Sequence, residues 1–158
     1  MNQFRHLNMP PDLAMEFISV FSRMEHALKS TGYAIGSESK VEAAWDKFAN
    51  EINDKFIQID KAEVVSAKRF ILDYPPRKQV LVKNRVEFRD QEVDSKQREA
   101  QQVLRFVRTV RNNLFHGGKY LPNGELEPGR NQLLVEKSLT LLTACLELHP
   151  RVMQSYEY

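Results

Sequence analysis

The chain has 158 residues, 42% hydrophobic and 28% charged, with a formal net charge of +2, which fits one folded domain with its own core and excludes a disordered polymer. A single cysteine, Cys145, excludes an internal disulfide, and its apolar neighbours Leu141, Leu142 and Leu146 mark it as a buried structural thiol. Met1–Pro10 lacks the apolar centre of a signal peptide and no window has the uninterrupted apolar length of a membrane span, so no membrane association and a cytoplasmic location are expected.

Taken in chain order, the first predicted helix covers about Pro11 to Ser30, opened by Pro10 and Pro11 and closed before Gly32. Leu13, Phe17, Val20, Phe21, Met24 and Leu28 recur at three-and-four spacing and form its buried stripe. A second helix is expected from about Lys40 to Phe56, with Val41, Trp45, Phe48 and Ile52 facing inward; Trp45 and Phe48 read as core rather than as base-stacking groups. A shorter helix follows at about Lys61 to Leu72 and ends in the proline-containing tract Asp73–Pro76.

Between Arg77 and Asp94 the pattern changes. Val80, Leu81 and Val82 form a short apolar run, and Val86 and Phe88 alternate with charged residues. An irregular excursion or a small hairpin turning at Lys83-Asn84 is expected there. The next long helix spans about Ser95 to Phe115, with Val103, Phe106, Val107, Val110 and Leu114 as its core stripe and Gly117-Gly118 as its stop. A loop over Lys119–Gly129 carries three turn signals, and a leucine-rich helix from about Asn131 to Leu148 is closed by Pro150. The segment Met153 to Tyr158 is either a frayed tail or a docking segment. Long amphipathic helices joined by loops predict an all-α, antiparallel four- to five-helix bundle, with the excursion at 77–94 as its one insert.

Charge is unevenly spread. Ser95–Lys119 carries Lys96, Arg98, Arg105, Arg108, Arg111 and Lys119 against Glu99 alone, and this basic helix points to a polyanionic partner or to a solvated charged face. At its end stands Arg111-Asn112-Asn113-Leu114-Phe115-His116-Gly117-Gly118-Lys119. Two asparagines inside a helix compete for its backbone hydrogen bonds, so Asn112 and Asn113 mark a functional site or a specific hydrogen-bond network. At about 100° per residue, Asn112 and His116 lie roughly 40° apart, close enough for the amide to orient the imidazole. Arg111 lies roughly 140° from His116, but its long side chain can bend around the helix end.

An arginine and a histidine supply what RNA transesterification needs: a proton donor and acceptor near neutral pH, and a bidentate grip on the phosphate. That chemistry calls for no metal or cofactor, and the chain has no Asp, Glu and His cluster at ligand spacing. Read from the residues alone, the pair can equally cap the helix and bind a carboxylate.

The string Arg111-Asn112 followed by His116 at the end of a late bundle helix resembles the signature of the HEPN superfamily, an arginine, a polar residue and a histidine four residues further on. The run through Gly117, Gly118 and Lys119 also resembles plasmid-borne and phage-defence members of that group. The resemblance implies a helical bundle forming a symmetric homodimer, with two motifs facing each other across one cleft. It also implies metal-independent endoribonuclease activity, as a toxin or defence effector held by a cognate antitoxin or inhibitor protein. On that reading Arg111 stabilises the phosphorane, His116 acts as acid and base, and Asn112 orients His116. Glu25 and Asn113 are expected at the border of the site; Arg108 and Lys119 read from the residues either as contacts to RNA phosphates beside the motif or as soluble surface. Glu25 alternatively pairs with Lys29 one turn along its helix. One toxin subgroup carries a modifiable tyrosine where this chain has Gly118. A non-catalytic HEPN-like module binding nucleotide, nucleic acid or protein, and a purely structural adaptor, are the competing expectations. His6 and His149 have no visible partners, His26 reads as surface, and Asp46, Lys47 and Asp54 read as a solvated face.

Overall fold

The computed structural model describes residues 1–116 and 129–158. Its elements are α1 (Pro11–Ser30), β1 (Ala34–Ser37), β2 (Lys40–Ala43), α2 (Trp45–Phe56), α3 (Ala62–Asp73), β3 (Lys78–Val82), β4 (Arg85–Arg89), α4 (Glu99–Phe115), α5 (Arg130–Glu147) and α6 (Pro150–Glu157). The all-α expectation is therefore corrected: the chain is mixed, with its described helices accompanied by two separate two-stranded antiparallel sheets. The helical core is nonetheless continuous. Phe17, Met24, Phe48, Phe56, Phe106, Leu141 and Val152 belong to one buried cluster to which α1, α2, α4, α5 and α6 contribute, and Val64, Ala67 and Ile71 add α3 to it. Helix α1 packs on α5 and α6, α2 on α4, and α3 on α5.

The expected stripes of α1 and α4 are all buried or half-buried. The second helix starts five residues later than expected, at Trp45. Residues 40–43 pair instead with 34–37, and Val41, 56% exposed, lies outside the core stripe it was assigned to. Glycine makes this first hairpin possible: a Cβ at Gly36 would lie 2.0 Å from the Lys40 carbonyl oxygen.

The second hairpin falls inside the expected insert, with Leu81 opposite Val86 and Lys78 opposite Arg89. Its turn places Lys83 and Asn84 at φ 48° and 62°, the two left-handed residues of a type I′ connection, which suits the right-handed twist of the strands. Asparagine takes this conformation readily, whereas lysine does so against its preference.

Helix α4 begins at Glu99 rather than Ser95, because Asp94 folds the preceding residues into a turn, its carboxylate accepting from Lys96 N at 2.9 Å. Asn53 Oδ1 accepts from Ala100 N at 3.1 Å and so covers one of the free amides of the first turn. Buried Lys68 pairs with Glu99 at 2.8 Å and ties α3 to this same end.

Pro150 does not close the last helix against solvent. It occupies the first position of α6, where a missing amide hydrogen costs nothing, so the segment Met153–Tyr158 is largely helical and Val152 is buried. His149 has partners after all: Nδ1 accepts from Val152 N at 3.3 Å as the cap of α6, and Nε2 lies 2.8 Å from the Tyr33 hydroxyl. Glu51 stands 3.5 Å from the same ring. Burial, together with the Glu51 carboxylate, pushes the Tyr33 hydroxyl up to about 12, and the Tyr33 hydrogen bond holds the Glu51 carboxyl below its ordinary range. Cys145 is fully buried, and desolvation pushes its thiol up to about 12 against a smaller opposing effect of Lys68. No described helix is long and apolar enough to cross a membrane.

Candidate functional site

The C-terminal half of α4 carries the motif, and α4 packs on α2, α5, α1 and α3 and touches β3 of the second hairpin. Packing of Val103, Phe106, Val107 and Val110 into the core turns Arg105, Arg108 and Arg111, spaced three residues apart, toward one side. There they line a cleft of about 560 Å³ shared with Phe21 and Glu25 of α1, Glu42 of β2, Trp45 of α2 and Lys78 of β3.

Arg111 is held from several directions. Its Nη1 donates to Asn112 Oδ1 at 2.8 Å, and its Nη2 stands 3.7 Å from Glu25 Oε1. The guanidinium carbon lies 5.1 Å from the centre of the Phe21 ring and 5.8 Å from that of Phe115, both within cation–π range. The side chain still keeps 30% of its exposure, so the guanidinium is positioned without being sealed. Glu25 is fixed in turn, because Trp45 Nε1 donates to Glu25 Oε1 at 3.3 Å. Phe21 and Glu25 sit one turn apart on α1, which is why a single helix supplies both the ring and the carboxylate against Arg111.

His116 is the residue that closes α4, its backbone N–H reaching Asn112 O at 2.9 Å, and it is exposed. Its ring packs edge-on against Phe115 with centroids 5.2 Å apart, so Phe115 touches both Arg111 and His116. Phe115 itself is 67% exposed and, with Ile18, Phe21, Glu25 and Arg111, lines a smaller groove of about 230 Å³ on the other side of the Glu25–Arg111 pair.

Of the expected site residues, Arg111 meets Asn112 on one side and Glu25 on the other. The Asn112 side chain makes no bond to the His116 imidazole; its Oδ1 accepts from Arg111 instead. Glu25 engages Trp45 and Arg111, and no Glu25–Lys29 pair forms. Asn113 turns away from the cleft: it is 5% exposed and its Nδ2 donates to Arg77 O at 2.7 Å, fastening the root of the second hairpin to α4. The two asparagines thus divide between the site and a structural bond. Arg108 lines the cleft but pairs with Asp46 at 3.0 Å, and Asp46 stays exposed as expected. Lys119, the glycine pair 117–118 and the loop through residue 128 lie outside the described residues. Among the described residues, no three His, Cys, Asp or Glu side chains converge as metal ligands. Phe21 and Lys78 were not expected at the site; Phe21 was indistinguishable from core, and Lys78 depends on a long-range hairpin placement that no local spacing reveals.

Compared with known proteins, the chain matches no family model, no curated protein and no solved structure.

Proposed function

We propose that this chain is a metal-independent endoribonuclease of HEPN type, with Arg111 and His116 acting on one phosphodiester. The observation that carries the reading is the positioned yet accessible Arg111 on the same helix end as an exposed His116, beside a cleft walled by Arg105, Arg108 and Lys78. Such an end suits a phosphate: the guanidinium offers a bidentate, always-charged grip, and an imidazole nitrogen can accept a proton or donate one.

In the proposed reaction the RNA 2′-oxygen attacks the adjacent phosphorus while the bond to the 5′-oxygen breaks. An imidazole takes the 2′-hydroxyl proton, and an imidazolium gives a proton to the departing 5′-oxygen. The products are a 2′,3′-cyclic phosphate and a 5′-hydroxyl. Arg111 neutralises charge that accumulates on the non-bridging oxygens. Acid and base acting in one step call for two proton-transferring groups, and a homodimer that pairs two α4 ends would supply one His116 from each copy. Phe115, large and 67% exposed beside His116, supports burial of this end against a second copy. Toxin or defence roles, with an inhibitor protein as partner, belong to the same proposal.

The test is incubation of the purified protein with RNA in the presence of EDTA. Cleavage is expected, with Arg111→Ala and His116→Ala each reducing it by about 100-fold or more. Equal cleavage by wild type and both variants overturns the reading. A second reading, a non-catalytic nucleic-acid-binding module, draws on the Glu25 carboxylate already facing Arg111; it predicts RNA binding without scission.

A further inference from the structure

The second hairpin has no part in the core and is nonetheless built firmly onto the motif helix. Gln91 Nε2 donates to Pro76 O at 2.6 Å and to Thr109 Oγ1 at 3.3 Å, Asn113 Nδ2 donates to Arg77 O, and Arg77 and Asp90 close the stem at 2.9 Å. Its anchors on α4, Thr109 and Asn113, alternate in sequence with Arg108, Arg111 and Asn112. The hairpin is therefore fixed in position relative to the proposed site.

Strand alternation sorts its side chains. Lys78 opposite Arg89, Val80 opposite Glu87, and Val82 opposite Arg85 share one face, whereas Leu81 and Val86 share the other, where they are 71% and 62% exposed. Lys78 lines the cleft, so Arg89 and Arg85 carry the cationic wall outward along that face toward Lys83 at the turn. From Lys78 to Arg89 the chain holds four cations against one anion, Glu87. Among the described residues, Lys78, Lys83, Arg85 and Arg89 form no ion pair, in contrast to Arg77, Arg108 and Arg111.

Two features run against stability. Lys78 and Arg89 are like charges placed directly opposite, and Lys83 holds a left-handed conformation that glycine or asparagine adopts more easily. Cations kept only to blunt a sheet edge need neither feature, and would not leave Leu81 and Val86 bare on the reverse face. Free cations continuous with a basic cleft fit a chain of phosphates.

We propose that the β3–β4 hairpin is an RNA-backbone arm, on which Lys78, Arg89, Arg85 and the tip residue Lys83 hold phosphates of a single strand beyond the bond presented to Arg111 and His116. The choice of RNA rests on the ribonuclease reading; the arm's grip on the strand does not depend on scission.

Binding is measured on the full chain carrying His116→Ala, which keeps the strand intact, using a fluorescent single-stranded RNA long enough to reach from the helix end past the hairpin. Affinity is followed as salt is raised. Each lost phosphate contact flattens the log–log salt slope by about 0.7, so Arg85→Gln with Arg89→Gln is expected to reduce it by about 1.4. Lys83→Gly is expected to weaken binding while melting no lower than its parent, and Glu87→Gln to tighten it, a gain that misfolding cannot produce. A slope and affinity unchanged in the double variant, with its melting temperature retained, overturn the arm, as does failure of the parent to bind RNA. The two proposals separate cleanly. Loss of slope in the His116→Ala background, when the wild-type chain cleaves no RNA in EDTA, keeps the arm and removes the nuclease; scission by the wild-type chain with an unaltered slope does the reverse.

Discussion

On the proposed reading an RNA phosphate would compete with Glu25 for the Arg111 guanidinium, and this makes Glu25→Gln an informative perturbation. The Glu25–Arg111 separation is 3.7 Å with side-chain exposures of 26% and 30%, so solvent screens the pair and its net value is about 1 kcal/mol. Removing the charge therefore costs the fold no more than about that amount and frees Arg111 to bind phosphate about fivefold more tightly. Glutamine keeps an oxygen for Trp45 Nε1, so the aromatic neighbourhood is retained; Glu25→Ala removes that acceptor as well and is expected to cost about 1 kcal/mol more. Trp45 is the only tryptophan, 4% exposed, and its emission reports whether this corner of the site is intact in each variant. The assay is titration of single-stranded RNA into His116→Ala protein with and without Glu25→Gln. Equal or weaker binding by the glutamine variant, with unchanged tryptophan emission, refutes the assignment of Arg111 as the phosphate ligand.

Other consequences follow from the packing. Asn113→Ala removes a hydrogen bond made by a 5% exposed side chain and is expected to lower stability by about 1–2 kcal/mol, with amide exchange accelerating across Lys78–Arg89 rather than across α1. Burial raises the Cys145 thiol from 9.0 to about 12, so the folded state keeps its proton where the unfolded chain loses it; that contribution is complete below pH 9 and declines as pH rises toward 12. By pH 11 the loss is about 2–3 kcal/mol, and urea melts of Cys145→Ala should show a correspondingly smaller alkaline decline than wild type.

Much of the helical framework was legible because apolar periodicity is a local property: α1 has its expected limits, and α3 and α5 lie within a residue or so of theirs. The second hairpin was legible from the alternation around Val86 and Phe88 and from Asn84 at the turn. The first was hidden because Val41 falls in helical register with Trp45 and Phe48, so one stripe accounted for both segments; only the exposure of Val41 separates them. Helix α6 was missed because a proline ends one helix and opens another with the same residue type. At the site, the motif named Arg111, Asn112 and His116, but the partners of Arg111 come from residues far away in sequence. Glu25 and Phe21 reach it across the α1–α4 packing, and a local reading offered Glu25 only Lys29. The pairing of Arg108 with Asp46 is likewise nonlocal, so no local spacing reveals it.

The most direct test of the central claim is the chemistry of the cut ends. Mass spectrometry of RNA digested in EDTA should find 2′,3′-cyclic phosphate (or its hydrolysis product) and 5′-hydroxyl termini, and fully 2′-O-methylated RNA of the same sequence should remain whole. Products ending in 5′-phosphate, or cleavage of the methylated strand at the same rate, would contradict attack by the 2′-oxygen and with it the roles given to Arg111 and His116.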